Sequence, residues 1–341
     1  MNTILGGTMK HIPTLDGWRA IAIIAVIVHH IAMFYGNDSW WAGRGAMGVD
    51  IFFAVSGLLI TTQLLQPGTS MKSFYIRRAF RILPPAICFL GILFAFHLIN
   101  GRDVLQCLFI IRNYVEAGST YTTHFWSLSL EEQFYFLWPV VLLCLAKRRA
   151  PLLVFIAILA VSVCRGFASI VLYSHAVRGI GMNQYFHTDM RCDGLLWGCL
   201  AAFCLTKTDL KCGKVITVLC LVGAFFLWGN PLFMPLSPIL LTGVVLGTVQ
   251  QPAWRLSRML EWKPLTWIGQ RSYGIYLWQS LFIFTPLPVP MALKIAAVLA
   301  WSAVLYEYVE SPLRRIGKGI ALQVADTSGF RSPLGGVLEE F

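Results

Sequence analysis

The sequence predicts an all-α polytopic integral membrane protein of about ten transmembrane helices, with both termini in the cytoplasm. Three observations predict it. Hydrophobic residues fill 57% of the 341 positions and charged ones only 13%, about half the charged share of an ordinary soluble domain. Ten apolar runs reach spanning length, at approximately 17–35, 47–65, 83–100, 128–146, 151–172, 190–206, 214–230, 232–250, 267–286 and 291–309. Lysine and arginine gather between alternate runs.

In chain order, residues 1–16 form a polar cytoplasmic segment, and the first apolar run is followed directly by others. It therefore reads as a retained signal anchor rather than a cleaved peptide. Asp16, ahead of Gly17 and Trp18, is expected to cap the first helix. With the N-terminus inside, the inner loops carry Lys72, Arg77, Arg78 and Arg81, then Lys147, Arg148 and Arg149, then Lys207, Lys211 and Lys214, then Arg255, Arg258 and Lys263, and last Arg314, Arg315 and Lys318. The outer loops keep Arg44, Arg102, Arg112, Arg178 and Lys294. This asymmetry orients the chain by the positive-inside rule. Segment 103–112 is apolar but too short to span, and reads as an interfacial or re-entrant piece of an outer loop that ends near Trp126. Residues 17–318 make up the membrane domain. Residues 319–341, rich in Gly, Ser and mixed polar side chains, read as a loosely ordered cytoplasmic tail. No internal repeat, low-complexity tract or soluble catalytic domain is visible.

Topology also accounts for the formal charge of +11, so nucleic acid is not an expected partner. The nine cysteines are odd in number and lack Cys-x-x-Cys spacing, which argues against both a disulfide framework and a zinc site. They read as small apolar packing residues.

Within the first span, Arg19 and His30 stand eleven positions apart. On a helix that spacing returns to within roughly 20° of the starting azimuth and separates the side chains by roughly 16 Å along one face. His29 points about 100° away. An ionisable residue inside a membrane helix is costly unless it serves a site or pathway; a snorkelling arginine and a backbone-satisfied histidine are the competing explanation. His30 ends the first span, Asp50 opens the second, Glu131 and Glu132 the fourth, and Arg191 and Asp193 the sixth. All of these are expected in the outer half of the bilayer, with Arg19 near the inner face. Acids and bases converging from several helices suit proton transfer, while Arg191 and Asp193 read equally well as a structural ion pair. Arg165, midway along the fifth run, requires a partner that sequence does not identify. In the inner loop before the third span, Arg78 and Arg81 have i, i+3 spacing beside Arg77 and several aromatics, so two guanidinium forks can meet one phosphate group.

Leu15-Asp16-Gly17-Trp18-Arg19 leading to His30, Gly48-Val49-Asp50-Ile51-Phe52-Phe53 with Ser56-Gly57, and Arg78 with Arg81 are followed by Trp126-Ser127-Leu128-Ser129-Leu130-Glu131-Glu132-Gln133-Phe134-Tyr135. Arg191-Cys192-Asp193-Gly194, Ser272-Tyr273-Gly274-Ile275-Tyr276-Leu277-Trp278 and Glu310-Ser311-Pro312 come after. In type and order these motifs resemble the acyltransferase-3 family of integral membrane O-acyltransferases that acylate carbohydrates, over nearly the whole chain from about Ile12 to Arg315. Gln279 departs from the histidine many relatives carry there, so no role is carried onto it. No fused periplasmic esterase-like domain is evident, so a two-step relay within one polypeptide is not expected.

The resemblance implies an O-acetyltransferase of the bacterial inner (plasma) membrane, moving an acyl group, most often acetyl, from cytoplasmic acyl-coenzyme A to a sugar hydroxyl on the outer side. Acetyl-CoA is then a donor substrate and no metal is required. Arg78 and Arg81, with Arg77 adjoining, would hold the coenzyme's phosphates while its arm rises past Arg19 toward His30. His30 would act as general base, with Asp50 or Glu131 orienting the ring, or else carry the acyl group itself. Trp126 and Tyr135 join Arg191 and Asp193 as a polar site of substrate-binding or structural character. The rival reading is a proton-coupled transporter of a small polar solute or glycan intermediate.

Overall fold

The computed structural model describes residues 11–36, 44–66, 69–115, 118–146, 156–158, 160–165, 186–207, 211–228 and 236–327. Lys147, Arg148, Arg149, Arg178, most of the fifth apolar run and residues 328–341 of the tail lie outside the described residues. All regular structure among the described residues is helical.

Helix α1 (Pro13–Phe34) leads into α2 (Met47–Leu64), α3 (Met71–Ala95), the short α4 (Gly101–Leu108) and α5 (Phe125–Ala146). A single turn at Thr188–Arg191 precedes α6 (Asp193–Lys207), α7 (Lys214–Leu227) and α8 (Leu236–Gln250). Two short helices, α9 (Arg255–Leu260) and α10 (Lys263–Gln270), then run into α11 (Ser272–Phe284) and α12 (Met291–Leu305), which passes through a π-turn at Tyr306–Glu310 into α13 (Ser311–Thr327). By length and composition, four helices can cross a membrane: Pro13–Phe34, Met47–Leu64, Met71–Ala95 and the continuous Met291–Val324. Helices α6, α7 and α8 are apolar but only 15, 14 and 15 residues long, about 21–23 Å at 1.5 Å per residue, short of a hydrocarbon core of roughly 30 Å.

Close approach of backbones organises the bundle. Helices α2 and α6 form the most extensive packing pair, with Gly57 against the Leu195 carbonyl and Gly198 against the Ala54 carbonyl. A side chain at either glycine would strike the backbone of the partner helix. Lipid tails offer membrane helices no hydrophobic drive to associate, so small residues that admit tight van der Waals packing carry such interfaces. Helix α1 meets α2 in the same way, Gly48 lying on the Ala22 carbonyl.

Four elements differ from their sequence expectation. Helix α1 starts at Pro13 with Ile12 as N-cap, because proline at the first position loses no helical hydrogen bond. Asp16 therefore lies in the first turn, where a carboxylate suits the helix dipole, and it meets His11 Nε2 at 2.6 Å and the Gln270 amide at 3.2 Å. The basic stretch Arg77–Arg81 is part of α3 rather than a loop. This helix runs through Pro84 and Pro85, with the Tyr273 hydroxyl donating to the Ile82 carbonyl at 2.9 Å just before them. The ninth apolar run is divided at Arg271, between α10 and α11, and α13 continues through residues 319–327 of the expected tail. The short outer-loop piece is α4, opened by a capping box between Asn100 and Asp103.

Basic clusters gather at one end. Thr14 of α1 bonds Glu261 between α9 and α10 at 2.7 Å, and α13 packs on the N-terminal half of α3, Gly317 against Phe80. At the opposite end Lys294 donates to the Thr285 carbonyl at 2.7 Å and lies 4.7 Å from the Phe34 ring centroid.

Candidate active site

A cavity of about 70 Å³ opens between α1, α2, α3, α5 and α11. Arg19, Arg78 and Arg81 face Glu131, Glu132 and Tyr135 across it, with Ser56, Ser127, Tyr273 and Tyr276 completing the polar wall. Helical spacing explains the grouping: Arg78 and Arg81 are one turn apart on α3, and Glu131 and Tyr135 are one turn apart on α5. Glu131 is held by neutral donors, Ser56 Oγ at 3.2 Å and the Tyr135 hydroxyl at 2.9 Å. The Arg78 guanidinium stacks on the Tyr135 ring, 3.6 Å from its centroid, which fixes the fork without neutralising it. Among the described residues Arg19, Arg78 and Arg81 form no direct ion pair. Three cations set against two carboxylates leave a site that suits an anion, and guanidinium geometry favours phosphate or carboxylate oxygens. Arg77, next along α3, does not line the cavity.

The charged residues expected to share one depth with His30 are divided among separate contacts. Asp50 accepts from Arg191 Nη2 at 2.7 Å through Oδ1. Arg165 Nη1 reaches both oxygens of Asp193, at 2.8 and 2.6 Å. Arg191 pairs with Asp50 rather than with Asp193 two positions on, since side chains two helical positions apart point roughly 200° from each other. The Arg191 guanidinium lies 5.6 Å from the centroid of Trp126, whose ring packs on Phe53 at 6.2 Å. All four charged groups are almost fully buried, and the Arg191–Asp50 pair ties the turn before α6 to α2. Glu131 sits with the arginines of the cavity, away from the ring of His30.

His30 lies toward the far end of α1 and is not part of the cavity lining. Its ring meets Phe284 edge-on at 5.7 Å between centroids, and its Nδ1 is buried without a hydrogen-bond partner among the described residues. Arg19 and His30 therefore occupy two levels of one helix face, roughly 16 Å apart along the axis. His124, in the connection that precedes α5, is buried beside Tyr276 with 5.4 Å between ring centroids. Burial first, then the positive charges available to His30 and Arg112, push its imidazole down to about 3, so it is neutral at pH 7. Sequence reasoning missed His124. The available signal was an ionisable side chain one residue before a spanning helix.

A family model described as an acyltransferase domain matches residues 12–306. The chain belongs to the acyltransferase-3 family. Within it, the protein is 30% identical over 364 residues to a peptidoglycan O-acetyltransferase, OatA, of Listeria monocytogenes, with 90% of this chain and 56% of that protein covered. It is 29% identical over 359 residues to the O-acetyltransferase OatA of Staphylococcus aureus, with 90% and 58% covered. The chain spans a little over half the length of these relatives. No solved structure matches it. Family membership favours acyl transfer over the transporter reading.

Proposed function

We propose that this protein is a membrane O-acetyltransferase that moves an acetyl group from cytoplasmic acetyl-CoA to a hydroxyl of an exported glycan, of the peptidoglycan type named for its relatives. The single observation that carries the reading is the anion-suited cavity in which Arg19, Arg78 and Arg81 face inward with no ion-pair partner among the described residues. In this reading the donor's phosphates rest on Arg78 and Arg81 at the basic end of the bundle, and its arm extends past Arg19. The roughly 16 Å rise from Arg19 to His30 along α1 is comparable with the reach of a pantetheine arm. His30 removes the proton of the acceptor hydroxyl as its oxygen bonds to the thioester carbonyl. The carbon–sulfur bond breaks, and the coenzyme leaves as thiolate to be protonated by the imidazolium. The counterpart route carries the acetyl group on His30 itself before transfer. Residence in the bacterial inner membrane, with the basic end facing the cytoplasm, belongs to the same proposal.

The test uses the purified protein in detergent with acetyl-CoA and a soluble peptidoglycan disaccharide. Release of coenzyme A thiol coupled to an O-acetyl ester on the sugar is the expected result. Folded protein that neither consumes acetyl-CoA nor binds it would reject the reading. Comparison of surface polysaccharide O-acetylation with and without the gene identifies the acceptor.

A further inference from the structure

Among the described residues, five buried polar atoms around His30, outside the arginine cavity, have no hydrogen-bond partner. They are His30 Nδ1, both ring nitrogens of His124 and both amide atoms of Gln279. Three separate elements supply them: α1, the connection before α5, and α11. Gln279 has 0% of its surface exposed and His124 has 4%. Gln279 neighbours His30, and the Leu277 backbone lies near His124, but neither approach reaches hydrogen-bonding geometry.

Bonded neighbours surround the three side chains, although Trp278 Nε1, Ser272 Oγ and Ser302 Oγ on the flanking helices are also buried without partners among the described residues. The Tyr276 hydroxyl meets Ser127 Oγ at 2.6 Å and the His124 carbonyl at 3.1 Å, and Ser280 Oγ donates to the Tyr121 carbonyl at 3.0 Å. These bonds clamp the connection to α11 and hold His124 and Gln279 in place while leaving their side-chain polar atoms unused. Buried polar atoms in native proteins are nearly always paired, and each orphan needs a reason. Five orphans on three neighbouring side chains are explained together if all serve one ligand.

The chemistry of the three side chains selects that ligand. A neutral imidazole offers one donor and one acceptor, and a carboxamide offers two donors and an acceptor. The three side chains supply no formal charge, so the cluster compensates neither an anion nor a cation in a low-dielectric setting. Its complement is a compact group whose functions each donate and accept, such as adjacent sugar hydroxyls. We propose that His124 and Gln279, with His30, form the subsite for a neutral hydroxyl-bearing ring of the acceptor, and that His124 and Gln279 are positioning residues that present one hydroxyl to His30. This inference rests on the acyl-transfer reading above and assigns its acceptor side.

The test compares the full-length protein with His124→Phe and Gln279→Leu, using acetyl-CoA and a soluble peptidoglycan disaccharide. Each substitution is expected to raise the acceptor KM at least tenfold while the donor KM changes less than twofold. His124→Gln, which keeps a donor and an acceptor, should recover part of the loss. The apparent melting temperature in detergent should be unchanged or higher in the apolar variants, because each removes buried polar atoms that have no protein partner. An acceptor KM within twofold of wild type in both variants would overturn the proposal. So would failure of both to fold, since that outcome marks the cluster as a structural network completed by water. If only His124→Phe fails to fold, Gln279→Leu decides. If the wild-type protein does not turn over acetyl-CoA, the acyl-transfer reading fails separately. Calorimetric binding of the disaccharide, present in wild type and lost in Gln279→Leu, or absent from both, then supports or overturns the subsite.

Discussion

His29 and His30 are adjacent in sequence and differ in their surroundings, which makes them the most discriminating pair in the molecule. The His30 ring packs on Phe284 and neighbours Gln279, whereas the Cβ of His29 lies against Gly45. With His30 as general base, His30→Ala should lose at least the roughly 100-fold typical of removing such a group, and His29→Ala should retain most activity at equal expression. His30→Gln keeps size and hydrogen bonding but cannot take a proton at neutral pH, so it should be nearly as inactive as the alanine variant. Full activity in His30→Gln would exclude base and nucleophile together. Buried pairs behave differently from catalytic groups. Asp193→Ala removes the carboxylate that both Arg165 contacts reach, and deleting one partner of a buried ion pair costs about 3–5 kcal/mol. Thermal unfolding in detergent should register that loss as a markedly lowered midpoint before any kinetic measurement is made.

Helix α3 is the element on which donor binding depends. It carries Arg78 and Arg81 into the bundle on continuous helix, and the Tyr135 ring supports the first of them. Replacing both arginines with alanine removes two forks suited to phosphate oxygens while leaving the glycine-mediated contact of α2 with α6 intact. Acetyl-CoA affinity, measured by equilibrium binding, should fall by at least an order of magnitude in the double variant, with insertion and thermal stability close to wild type. Unchanged affinity would reduce these arginines to topology signals. Helix α4 has the opposite character: Leu105 and Leu108 are exposed while Asp103 and Gln106 are buried, so its polar side is the one turned toward protein, as suits a short helix at an apolar boundary.

At the scale of the whole molecule, charge asymmetry gives the bundle two unlike ends. Arg81, Arg19 and Arg314 lie close enough for mutual repulsion, at the end where α13 covers α3 and where Thr14 meets Glu261. The proposed cytoplasmic location of this end rests on the positive-inside rule and is tested by topology. Reporters fused after Lys72 and after Arg149 should read cytoplasmic, and one inserted near Ser119 should read exterior. The reverse pattern would invert the sidedness of the proposed reaction as well as the topology.

Much of this was legible in the linear sequence because it follows from local periodicity. Apolar runs mark helices, and the eleven-residue interval between Arg19 and His30 sets their shared face and axial separation, since a helix has a constant rise and turn per residue. Arg78 and Arg81 share a face for the same reason. Partnership across helices is another matter, because it depends on the rotation, tilt and depth at which whole elements pack. Arg165 could not be matched to Asp193 from sequence, nor Arg191 to Asp50 before the glycine-mediated contact of α2 with α6 was known. Asp50 or Glu131 was expected to orient His30, and the structure places Glu131 with the arginines of α3 in a cavity that His30 does not line, because that grouping depends on how α1, α3 and α5 pack together. His124 and Gln279 are 155 positions apart and carry no mutual periodicity; their meeting beside His30 is created by the hydrogen bonds that clamp the loop before α5 onto α11.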